Sequence, residues 1–121
     1  MTLREALDRA DSLSPCRASE AERIAWLDSV DRTVCAEITG GDFDGYTVDS
    51  PAETQLLVPP PYDELYLRVL EARGAYAGGE IDRYNNAAAL YQTLWNAYAR
   101  SYIRTHRPGR REMNYLGGER V

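Results

Sequence analysis

The longest periodic stretch lies in the last third of the chain. Ile81, Tyr84, Ala88, Tyr91, Trp95, Tyr98 and Tyr102 follow one another in alternating steps of three and four. That is the repeat of an α-helix with one face held against a partner. Ala87, Leu90, Leu94 and Ala97 form a second apolar stripe beside it, and Asp82, Asn85, Asn86, Gln92, Thr93, Asn96 and Arg100 make a narrower polar band. So much apolar circumference predicts a mostly buried helix from about Glu80 to Thr105. It is either the centre of a small bundle or a helix shared between subunits, and the seven residues of the first stripe are its expected core.

The rest of the chain predicts three shorter helices and one long connection. Thr2 and Glu5 are spaced as a capping box, with Leu3, Leu7 and Ala10 as the apolar face of a helix to about Asp11, broken by Ser14-Pro15. Ser19 and Glu22 make a second box. Ile24, Leu27, Val30, Val34 and Ile38 follow at helical spacing, and Thr39-Gly40-Gly41 is the stop. From Asp42 to Pro61 no period persists, although Thr54 to Val58 has the composition of a short extended segment. A loop this long in a small domain is expected to be functional, mobile in the free chain and ordered on a partner. Pro59-Pro60-Pro61 predicts a stiff polyproline run, with Pro61 suited to the first position of a third helix. That helix has Leu65, Val69, Ala72 and Tyr76 as its inner face, with Tyr62, Tyr66 and Leu70 beside it. The short Gly78-Gly79 link then makes an antiparallel hairpin with the long helix.

The expected fold is therefore all-α: a small bundle of about four helices with a long C-terminal helical hairpin, an irregular central loop and a basic C-terminal arm. Residues 1–121 form one domain, divided into two N-terminal helices (1–38), loop (39–61), hairpin (62–105) and tail (106–121).

Composition adds two points. Every one of the fourteen basic residues is arginine, a bias that runs through the whole chain and marks no particular site. Charge is also polarised. Residues 1–64 hold 5 Arg and 14 Asp/Glu, and residues 65–121 hold 9 Arg and 5 Asp/Glu, so a front of −9 precedes a back of +4. Arg107, Arg110 and Arg111 lie past the last helix, where they are available to a partner's acidic surface or to nucleic-acid phosphates. A pI near 4.9 argues against a DNA-binding domain proper. No apolar run is long enough to span a membrane and the first thirteen residues lack a signal-peptide core, so synthesis in the cytoplasm is expected.

The chemistry-bearing patterns are weak. His106 is the lone histidine, with no nucleophile placed beside it by the sequence. Asp42-Phe43-Asp44-Gly45, with Glu53 at the twelfth position, imitates a calcium loop, but the glycine is two positions early and Tyr46 replaces a ligand. Pro59-Pro60-Pro61-Tyr62 matches a WW-domain ligand, yet its tyrosine opens a helix. Cys16 and Cys35 fit free thiols better than a disulfide or zinc site. The three Gly-Gly pairs match no phosphate loop. The expectation is a protein that is not an enzyme and uses no cofactor or metal.

Leu57-Val58-Pro59 followed by Tyr62-Asp63-Glu64-Leu65-Tyr66 resembles a small family encoded among the head and tail genes of tailed bacteriophages and prophages. The strongest likeness is Gly79-Glu80-Ile81-Asp82-Arg83-Tyr84-Asn85-Asn86, continued by Ala89-Leu90-Tyr91, Ala97-Tyr98 and Tyr102 with Arg104-Thr105-His106. Gly74 and the arginine-rich end fall outside that pattern. The resemblance implies a head–tail connector, or adaptor: a structural virion protein at the neck, in a ring that is commonly twelve-fold. Its partners would be itself in the ring, the portal protein above and tail-side neck or tail proteins below, with genomic DNA only as channel content and no membrane. The alternative is a small DNA-packaging or regulatory factor that contacts nucleic acid through the arginine-rich tail.

Overall fold

The structure, a computed structural model, describes residues 1–13 and 17–106. Four α-helices follow one another: α1 (Leu3–Leu13), α2 (Glu20–Val34), α3 (Glu64–Ala77) and α4 (Ile81–His106). A π-turn, Cys35–Thr39, continues α2. Among the described residues there is no β-strand, only an isolated antiparallel bridge between Thr2 and Gln55. The expected break at Ser14-Pro15, Cys16, and the arm with Arg107, Arg110 and Arg111 lie outside the described residues.

Both capping boxes form. The Glu5 amide donates to Thr2 Oγ1 at 3.2 Å while the Thr2 amide donates to Glu5 at 2.8 Å. The Ser19–Glu22 pair does the same at 3.0 and 3.1 Å. Each box satisfies two of the amides that a helix start leaves without partners. The second helical run does reach Thr39, but its last turn is widened. Gly40 takes a left-handed conformation (φ 75°) and donates its N–H to Cys35 O at 2.8 Å, closing a carbonyl that would otherwise be orphaned.

The centre of the molecule is α3, not α4. Leu65, Tyr66, Leu67, Val69, Leu70, Ala72 and Ala75 are all buried, because α1, α2 and α4 pack around this one helix. Tyr76, expected on its inner face, is instead 65 % exposed near the hairpin turn. Helix α4 packs against α3 and the π-turn and has no close backbone approach to α1 or α2. Its stripe is correspondingly shallow. Tyr98 alone of the seven expected core residues is buried. Tyr84, Ala88, Tyr91, Trp95 and Tyr102 are half-buried, and Ile81 is 55 % exposed. The deepest line runs between the two sequence stripes, through Ala87, Tyr91, Leu94 and Tyr98. A helix supported from one side buries only the centre of a broad apolar face.

The loop is threaded through the core. Tyr46, Leu56 and Val58 are buried, at 8 %, 3 % and 0 % exposure. Backbone bonds from Leu3 to Thr54 (2.8 Å) and from Leu56 to Met1 (3.1 Å) tie the loop to the start of α1. A loop that the sequence predicts to be ordered on a partner is, at these positions, packed against its own helices. The prolines do not extend either: the Tyr62 amide donates to Pro59 O at 3.0 Å, closing a turn, and α3 opens three residues later than Pro61.

Candidate functional site

Two places carry unusual side-chain arrangements: a buried carboxylate beneath the loop, and the outer side of α4.

The carboxylate is Asp31, which has 0 % exposure. It lies on the buried face of α2, between Leu27 and Val34. The Tyr46 hydroxyl and the Leu57 N–H (3.1 Å) both donate to its Oδ2, and the Tyr66 hydroxyl donates to Oδ1 at 2.6 Å. Tyr66 in turn accepts the Val58 N–H at 2.7 Å. Burial pushes the Asp31 carboxyl up from its usual range, while its three donors pull it back. Burial beside that carboxylate pushes both phenols up as well. One turn earlier, Asp28 accepts the Tyr46 N–H at 2.8 Å and pairs with Arg32 at 3.2 Å. Gly45 passes over this pair at φ +93°, where an added Cβ would stand 3.0 Å from Asp28 Oδ1. Asp31, Tyr46 and Tyr66 are all buried, so their network ties one loop to two helices and presents nothing to a substrate.

Helix α4 supplies the open surface. Its 26 residues span about 39 Å against about 21 Å for the 14 of α3. The C-terminal part therefore runs beyond α3 and faces the π-turn and the Pro59–Tyr62 turn. Between them lies a groove of about 390 Å³, walled by Tyr62, Tyr98 and Tyr102 and edged by Cys35 and His106. Tyr62 and Tyr98 approach with ring centroids 5.9 Å apart, and His106 stacks on Tyr102 at 3.9 Å. His106 is the last residue of α4, not a residue beyond it. Its Nδ1 lies 3.2 Å from the Tyr102 carbonyl and 2.9 Å from Thr105 Oγ1, the position of a C-terminal cap. Cys35 is buried and directs its thiol at the Asp42 carbonyl, 3.9 Å away. The groove thus brings a cysteine and a histidine to its walls with each engaged elsewhere, which is no nucleophile–base pair.

Along the remaining circumference of α4, Ile81, Leu90 and Ile103 are exposed at 55, 48 and 55 %. Among the described residues no group of three metal-ligating side chains gathers, and no helix is long and apolar enough to cross a membrane. The sequence stripes foretold an apolar α4. They did not foretell Asp31, although one signal was present: steps of three and four from Ile24 through Leu27 to Val34 and Ile38 pass through residue 31.

Comparison with known proteins gives no match to a family model, a curated protein or a solved structure.

Proposed function

We propose that the chain is a structural subunit of the head–tail connector of a tailed bacteriophage, assembled with copies of itself in a ring between portal and tail proteins. The observation that carries this reading is the one-sided packing of α4, a helix with two apolar stripes of which the subunit's own core covers only the middle. The uncovered remainder is the apolar surface an assembling subunit needs. The likeness of the segment from Leu57 to His106 to neck proteins supports the same reading. A site of chemistry is not required by it, and DNA enters only as the content of the channel.

Deletion of the gene from the phage that encodes it tests the proposal. The expected result is DNA-filled heads without tails, restored by the protein supplied in trans. Normal tailed particles from the deletion strain would overturn it. Truncation before Arg107 separates the rival reading. Tight, salt-sensitive duplex binding by the full chain that disappears with the tail, alongside complete necks, would favour a DNA-packaging or regulatory factor.

A further inference from the structure

Nearer its N-terminal end, on the same face as the groove, α4 borders a second depression. This cleft of about 240 Å³ lies between α2, α3 and α4. Ala88 and the buried Val30, Val69 and Ala72 line it together with Ser29, Thr33, Tyr84 and Tyr91, and Arg73 stands at its edge. Arg68, on the same helix, pairs with Glu71 at 3.1 Å, whereas Arg73 is exposed and holds no carboxylate among the described residues. A cation at the mouth of a partly apolar cleft favours a partner group with an anion next to a small apolar side chain.

The chain itself carries such a group. The turn Thr47–Ser50 is closed by three hydrogen bonds: Ser50 N–H to Thr47 O at 3.0 Å, Thr47 N–H to Ser50 Oγ at 2.9 Å, and Asp49 N–H to Thr47 Oγ1 at 3.2 Å. Its base is fixed by buried Tyr46. At its apex Val48 is 60 % exposed, and the neighbouring Asp49 is exposed with no ion pair among the described residues. An exposed valine alone is unremarkable. An exposed valine and an exposed carboxylate on a preformed turn make a ready ligand, because little ordering entropy is left to lose on binding.

We propose that the Thr47–Ser50 turn of one copy of the chain seats in the α2–α3–α4 cleft of the next, with Val48 against the apolar lining and Asp49 paired with Arg73. The proposal rests on the ring reading above and names its subunit contact. Turn and cleft are different surfaces, so the contact is heterologous, and repetition of a heterologous contact generates a closed ring or an open filament. It also uses the charge polarity of the chain, since the turn belongs to the acidic front and Arg73 to the basic back.

Sedimentation velocity on the purified full chain tests it by charge reversal. Wild-type protein is expected to self-associate. Arg73→Glu and Asp49→Arg should each weaken association by about tenfold or more, because either places like charges across the contact. Both positions are exposed, so unchanged circular dichroism and an unchanged urea midpoint are expected for each variant. An equimolar mixture of the two variants should associate again, since alternating copies put opposite charges across every contact. Wild-type association unaffected by either variant, two weakened variants that do not rescue each other, or a wild-type chain that stays monomeric would each overturn the inference. None of these outcomes decides the connector reading, which is judged separately by the tail-less phenotype.

Discussion

Replacing Asp31 with leucine removes one side chain and orphans three donors. The Tyr46 and Tyr66 hydroxyls and the Leu57 N–H lose their acceptor at once. A hydrogen bond to a charged group is worth about 1.5–3 kcal/mol, and a buried donor left unpaired costs about 1–3 kcal/mol. Against that, the variant no longer buries a carboxylate, whose desolvation is itself expensive. Three neutral donors left unpaired at about 1–3 kcal/mol each, less the relief of that desolvation, leave a net cost of about 3–5 kcal/mol, a large share of the ~5–15 kcal/mol that holds a domain together. In urea, at a slope near 2 kcal/mol per molar, the midpoint should fall by about 2 M. Hydrogen exchange should show the Tyr46, Leu57 and Val58 amides protected in the wild type and released in the variant. Two further variants make the reasoning specific. Tyr66→Phe should cost more than Tyr46→Phe, because the Tyr66 hydroxyl also receives the Val58 N–H. Adding Tyr46→Phe to Asp31→Leu should recover part of the loss, since one orphaned hydroxyl disappears, whereas adding Tyr66→Phe should not, because it takes the acceptor from the Val58 N–H. A midpoint for Asp31→Leu equal to wild type, or loop amides that exchange freely in the wild-type chain, would refute the view that this carboxylate fastens the loop.

Three other outcomes are expected. Burial raises the Asp31 carboxyl above its unfolded value of about 3.9. Its contribution to stability is therefore fully present below that pH and lost as pH rises through the folded value; denaturant titrations from pH 4 to 7 should show Asp31→Asn gaining on wild type as pH rises. Gly45→Ala forces a side chain into φ +93° with its Cβ 3.0 Å from Asp28 Oδ1 and should cost about 1–3 kcal/mol in the same assay. Trp95 packs half-buried beside Tyr91, ring centroids 6.1 Å apart, so Trp95→Ala should cost about 2 kcal/mol, below the ~3–5 of a fully buried aromatic.

Local signals were legible and depth was not. Thr2, Glu5, Ser19 and Glu22 specify two helix starts through contacts three residues apart, and Gly40 and Gly78-Gly79 specify two stops through backbone conformation. Such features depend on neighbours in sequence, so a sequence states them directly. The loop does not, because its order comes from a side chain on another element. Tyr46 and Leu57 meet Asp31 across 15 and 26 residues, and no period within residues 42–61 encodes that meeting. Asp31 was a charged position on an apolar stripe, a pattern that shows itself only when the stripe is read in strict steps and the polar member is kept in view. The π-turn was hidden for a related reason: hydrophobic spacing from Ile24 to Ile38 is the same whether the last turn is tight or widened.

The reading of α4 erred in a different way. Apolar periodicity measures how much of a helix is apolar, and that sum includes any surface reserved for other molecules. A helix at the centre of its own subunit and a helix at the boundary between subunits carry the same stripes. Helix α3, with fewer obvious repeats, is the one enclosed on three sides, and its seven buried residues come from more of its circumference than one stripe supplies. Helix α4 holds the longer pattern and buries only Ala87 and Tyr98. The excess of pattern over burial lies at Ile81 and Leu90 and in the half-covered tyrosines of the stripe, and Ile103, a member of neither stripe, is exposed as well. If α4 served only its own core, those outer positions would have no packing reason to be apolar. If it serves an assembly, as proposed, they are where the next subunit or the portal would be met, and the two alternatives that the stripes left open divide on this surplus.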